Sequence, residues 1–141
     1  MGLIGRGCQN SSSTGGALLT ATGAVAPDTV VLTASNELPH PLSIFLQGTT
    51  ENPSGLLFGD GVRCVSGVLK RLYTKNAVNG SVSAPGPGDP SISARSAILG
   101  DPITAGQTRT YQVYYRDNIL SFCPSPPGDS FNVSSALRVN W

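Results

Sequence analysis

Apolar and polar side chains alternate with a period of two along most of this chain, the pattern of extended segments with one buried and one exposed face. GGALLTATGA, residues 15–24, reads as a strand, Pro27-Asp28 as a turn, and TVVLTASNEL as a second strand. In that second strand Val30, Leu32 and Ala34 share one face, and Val31, Thr33 and Ser35 the other. Two prolines around His40 forbid helix and set an extended corner. LSIFLQGTT then places Leu42, Ile44 and Leu46 on one face, and LLF at 56–58 enters a Gly59-Asp60-Gly61 turn that VRCV leaves. VLKRLYTKNAV, residues 68–78, admits a helical reading, but its β-branched and aromatic flanks and the Asn79-Gly80 turn into SVSAP favour a strand.

APGPGDPSI, residues 84–92, is a Pro and Gly corner, SARSAIL follows it, and no segment is assigned to helix. TRTYQVYYRD puts Thr108, Thr110, Gln112 and Tyr114 on one face and Arg109, Tyr111, Val113 and Tyr115 on the other. FNVSSALRVNW closes the chain with Phe131, Val133, Ser135, Leu137, Val139 and Trp141 in register. About eight short strands at spacings near ten residues predict an all-β, antiparallel β-sandwich, immunoglobulin-like or jelly-roll-like.

The chain has 141 residues and a mass of 14.5 kDa. A globule of that size hides roughly two-thirds of its unfolded surface, enough for one core without a metal. A single domain over residues 8–141 behind a flexible lead at 1–7 is therefore expected. Charged residues are 12% of the chain, against about 25% in an ordinary soluble domain, and the formal net charge is +1. Binding to nucleic acid or acidic lipid by bulk charge is excluded on that balance. Arg6, Arg63, Arg95, Arg109, Arg116 and Arg138 are scattered, and only Lys70-Arg71 with Lys75 approaches a patch. Ser, Thr, Asn and Gly replace the charges, as on many exported β-domains, so a secreted or extracellular location is expected. The opening MGLIGRG has no apolar signal core, and no run reaches the ~18 residues of a membrane span.

Candidate chemistry is sparse. Cys8, Cys64 and Cys123 permit one disulfide with one thiol over, and spacing alone does not rank the pairings. A zinc site would need all three with His40, so no metal and no cofactor is expected. There is no Gly-x-Ser-x-Gly elbow, phosphate loop or HExxH helix. An acid and base pair could be drawn only from Glu37, Asp60 and Asp117, which would have to lie ~5 to 9 Å apart for glycoside hydrolysis. The plainer readings are a turn for Asp60, a strand-end ion pair or loop cap for Arg116-Asp117, and a solvent-facing Arg63 or one paired with Asp60. Tyr111, Tyr114 and Tyr115, followed by Arg116, are candidate binding residues, since tyrosines on a sheet face can stack on sugar rings. One face of their strand must be core, so a platform requires Tyr73 or Trp141 to join the tyrosine left outside.

The succession N-x-x-x-TGG-A after Cys8, FGDGVRCVSG, YQVYYRD and FNVSSALRVNW resembles a domain found at the C-terminal end of secreted proteins from environmental bacteria. The likeness spans nearly all of residues 8–141 and implies a secreted, non-catalytic β-sandwich appended to larger proteins. It also implies a bridge between Cys8 and Cys64, ahead of Cys64 with Cys123, leaving Cys123 spare. Such a bridge would contribute roughly 4 kcal/mol on the chain-entropy account. The function expected is a structural or attachment module presenting an uncharged polar β-surface to a glycan, a protein surface or, through a sheet edge, another copy. The alternatives are a small extracellular polysaccharide hydrolase and a carbohydrate-binding module.

Overall fold

The computed structural model describes residues 2–120 and 128–141. Eight strands and one helix follow in chain order among these residues: β1 (Leu18–Thr22), β2 (Val31–Ser35), β3 (Leu42–Phe58), β4 (Gly61–Asn76), β5 (Val82–Ala84), α1 (Ile92–Ile98), β6 (Thr108–Arg116), β7 (Phe131–Val133) and β8 (Leu137–Asn140). A small sheet has the order β1-β2-β5, and a large one the order β4-β3-β6-β7 with β8 also on β6. Every pairing is antiparallel. This is the expected all-β sandwich.

The core forms where the alternating apolar faces meet. Leu19, Leu32, Ala34, Val82 and Ala84 of the small sheet pack against Phe45, Leu72, Tyr73, Tyr111 and Val113 of the large one. Each fully buried large side chain contributes roughly 1.5–3 kcal/mol. Asn79 and Gly80, with φ of 51° and 75°, make the tight turn between β4 and β5 that their sequence promises.

Three features depart from the expected strands. SARSAIL belongs to α1: Ser91 Oγ accepts from Ala94 N at 3.4 Å, and Asp28 Oδ2 accepts from Ser93 N at 2.7 Å. Its serines and alanines offer little apolar contrast, while Ile92 and Ser96, four apart, are the residues it buries. FNVSSALRVNW is broken into β7 and β8, because Ser135 leaves the ladder to bind β1 and its approach, its N–H donating to Ala17 O and its hydroxyl accepting from Leu19 N. The break reverses the alternation. Val133 stands opposite Tyr114 on the face away from the core, whereas Leu137 stands opposite Tyr111 on the core face.

The third departure shapes the site. LSIFLQGTT and LLF are one strand, and its register with β4 slips after Phe45, Gly48 and Glu51. Such bulges bend a hairpin. Here the distal half folds back over the outward face of its own sheet, where Gln112 Nε2 donates to Val62 O at 2.9 Å and Gln112 Oε1 accepts from Cys64 N at 3.1 Å. At the tip, Asp60 N donates to Phe131 O at 2.9 Å.

Candidate functional site

Folding the hairpin over the sheet leaves a cleft of about 440 Å³ beside it, lined by Leu42, Ile44, Phe58, Arg71, Tyr114, Tyr115, Arg116, Ser130 and Phe131. That volume lies within the roughly 300–1,000 Å³ typical of small-ligand sites. A second cleft of about 280 Å³ adjoins it and shares Phe58, Arg71 and Tyr114, adding Leu46, Arg63 and Leu69. Three rings from three strands meet here edge to face. The Phe58 centroid lies 4.9 Å from Phe131 and 5.5 Å from Tyr114, and Tyr114 lies 6.1 Å from Phe131.

Guanidinium groups stand over these rings. Arg63 Cζ is 5.2 Å from the Phe58 centroid and Arg71 Cζ 5.9 Å from that of Tyr114. The π face holds the cation through its quadrupole and leaves the in-plane N–H groups to other partners. Arg116 Nη1 donates to Ser130 Oγ at 3.2 Å on the rim. Among the described residues no carboxylate forms an ion pair with Arg63, Arg71 or Arg116. Arg63 Nε is moreover buried without a hydrogen-bond partner. Burial pushes the Tyr114 hydroxyl up, against the pull of Arg71 and Arg116, so it stays a neutral donor at physiological pH.

Of the expected binding residues, Tyr114, Tyr115 and Arg116 line the cleft, but Tyr115 is almost wholly buried and Tyr111 lies in the interior. Trp141 Nε1 donates to Tyr111 Oη at 3.0 Å and Asn10 Nδ2 to Tyr115 Oη at 3.3 Å. Tyr73 is in the core, donating to Pro90 O at 2.8 Å, so neither it nor Trp141 joins the platform. Phe58 and Phe131 do so instead. Neither was visible as a site residue: Phe58 precedes a turn, and the break between β7 and β8 hides the side to which Phe131 points.

The three candidate carboxylates are interior. Asp60 and Asp117 are wholly buried, and Glu37 is 2% exposed. Asp60 Oδ1 accepts from Asp129 N at 2.6 Å, Asp117 Oδ2 from Ser11 N at 2.8 Å, and Glu37 Oε2 from Ser43 Oγ at 2.5 Å. Burial raises the Asp60 carboxyl above its ordinary value, with Asp117 and Asp129 adding to the rise against the Asp129 N–H. Burial likewise pushes Glu37 up to about 7, against the Ser43 hydroxyl. Arg63 does not pair with Asp60 but lies over Phe58.

The Cys8–Cys64 bridge implied by the resemblance is not formed, and Cys64 keeps its thiol. The two side chains line one cavity of about 480 Å³ instead of bonding. Cys123 lies outside the described residues. Burial raises the Cys64 thiol and Glu51 adds to the rise, which makes it a poor nucleophile. Among the described residues, no cluster of three or more His, Cys, Asp and Glu could hold a metal, and no helix is long and apolar enough to cross a membrane.

Comparison of the chain with known protein families, with curated proteins and with solved structures finds no match in any of the three.

Proposed function

We propose that this chain is a non-catalytic attachment module that works outside the cell and holds a polysaccharide in the cleft beside the β3–β4 hairpin. The observation that carries the reading is the meeting of Phe58, Tyr114 and Phe131 on a face turned away from the core. Sugar rings present flat C–H surfaces that stack on aromatic faces, and an apolar wall flanked by polar groups is the usual make-up of such a site. The walls are strands pinned by Gln112, so little ordering is needed on binding. Glu37, Asp60 and Asp117 are enclosed and line neither cleft, which favours holding a glycan over cleaving it. Sparse charge and the likeness to appended bacterial domains support the extracellular setting.

The test is retention on a panel of insoluble polysaccharides, run beside an assay for newly released reducing ends. The native chain should be held by at least one polymer without releasing sugar. Tyr114→Ala with Phe131→Ala should elute freely while keeping its far-ultraviolet circular dichroism. Failure of every polymer to retain the native chain, or steady sugar release, would overturn the proposal.

A further inference from the structure

Resting on that reading, we infer that the polysaccharide is an acidic one, and that Arg63, Arg71 and Arg116 bind carboxylates of uronic acid units along the two adjoining clefts. In sequence these arginines are scattered, and the net charge of +1 gives no hint of a basic site. In the fold they surround one aromatic cluster: Arg63 lines the second cleft, Arg116 the first, and Arg71 both.

Two features of these cations point to an anion. Among the described residues the other cationic side chains include pairs with carboxylates: Lys75 with Asp89 at 2.5 Å, Arg109 with Asp101 at 2.7 Å and Arg138 with Glu51 at 3.8 Å. The cleft arginines have no such partner, and the enclosed Asp60 and Asp117 accept main-chain N–H groups instead. Next, the guanidinium groups of Arg63 and Arg71 lie over rings, at 5.2 and 5.9 Å from the centroids, a contact that consumes no acceptor and leaves N–H groups for a carboxylate. Arg63 Nε is buried and without a hydrogen-bond partner, so no acceptor of the chain holds this guanidinium through that atom.

Three cations spread over two adjoining clefts match a polymer with a carboxylate on successive units better than a single small anion, which would need one fork. The rings between them supply the surface on which each sugar stacks. Nucleic acid also offers repeated anions, but the few cations outside the cleft leave little to track a phosphate backbone.

The experiment compares polygalacturonate with the same polymer fully methyl-esterified, which keeps the sugar backbone and removes the charge, alongside dextran sulfate and single-stranded RNA. Affinity electrophoresis should show retardation by polygalacturonate that esterification abolishes. Arg71→Met should weaken it roughly tenfold and Arg71→Lys should restore it only in part, because an ammonium lacks the fork. Arg138→Gln, which removes a charge outside the cleft, should leave it unchanged. Equal retardation by the esterified polymer would overturn the inference while sparing the attachment reading. So would stronger binding to dextran sulfate or RNA that persists in Tyr114→Ala. No retardation by polygalacturonate, with retention on a neutral polymer, would overturn the acidic specificity alone. Absence of binding to every polysaccharide would remove both.

Discussion

Glu37 shows how burial sets the behaviour of a single residue. It sits at 2% exposure with one oxygen held by Ser43 and the other without a partner. Its carboxyl is raised from 4.5 to about 7, so the fold prefers the protonated form. The unfolded chain loses that proton first as pH rises, and the stabilisation, complete below 4.5, is lost as pH climbs through about 7. The shift corresponds to about 3 kcal/mol, taken as an order of magnitude. Glu37→Gln should therefore gain stability relative to the native chain between pH 4.5 and 8, seen as a flatter midpoint of thermal unfolding against pH. Parallel curves for the two proteins would show that Glu37 ionises without cost.

At the scale of elements, the hairpin of β3 and β4 decides whether a cleft exists. Gln112, in the middle of β6 and 2% exposed, holds it through Val62 O and Cys64 N and also donates to Ser134 O. At its tip, Gly59 takes φ of 62° and packs against Phe131, a position where a side chain would meet both the ring and the carbonyl. Gln112→Ala leaves Val62 O and Cys64 N without these partners, at about 1–3 kcal/mol for each buried group left unsatisfied. The expected outcome is faster amide exchange at Val62 and Cys64 and weaker glycan retention, with core amides of β2 and β6 less affected. Unchanged exchange in the hairpin would mean that the bulged strands hold their curvature unaided.

The same elements explain what could be read beforehand. Alternation in TVVLTASNEL and TRTYQVYYRD placed Leu32, Ala34, Tyr111 and Val113 correctly, because one face of each strand is core and period two leaves a single consistent choice. It also separated Tyr114 from Tyr111 and Tyr115. It could not show that β3 runs through three register slips and folds back, since bulges are read from pairing and not from one strand's composition. Nor could it show the reversal between β7 and β8, set by the bonds of Ser135 to Ala17 and Leu19. Those two irregularities bring Phe58 and Phe131 to Tyr114. The site was hidden where the local pattern breaks.

Taken whole, the molecule is a two-layer body whose inner faces are apolar and whose buried Glu37, Gln47, Asp60 and Asp117 each keep at least one hydrogen bond while leaving one oxygen without a partner. Arg109 makes a two-pronged bond to Asp101, at 2.9 and 2.7 Å, and Gln47 joins Asp101 to Ser96, tying β3 and β6 to α1 and the turn beyond it. Glu37, Asp60, Asp101 and Asp117 thus serve the fold, while three rings and three arginines line two adjoining clefts on one face. Two positions that most resembled catalytic residues in sequence, Asp60 and Asp117, anchor loop main chain instead. The proposed function rests on that division between an interior that folds and a face that binds. Chemical-shift mapping of the isotope-labelled chain, titrated with oligogalacturonate, tests it most directly. Saturable shifts should gather at Phe58, Arg63, Arg71, Tyr114, Arg116 and Phe131, whereas shifts gathered elsewhere, or none at millimolar ligand, would contradict it.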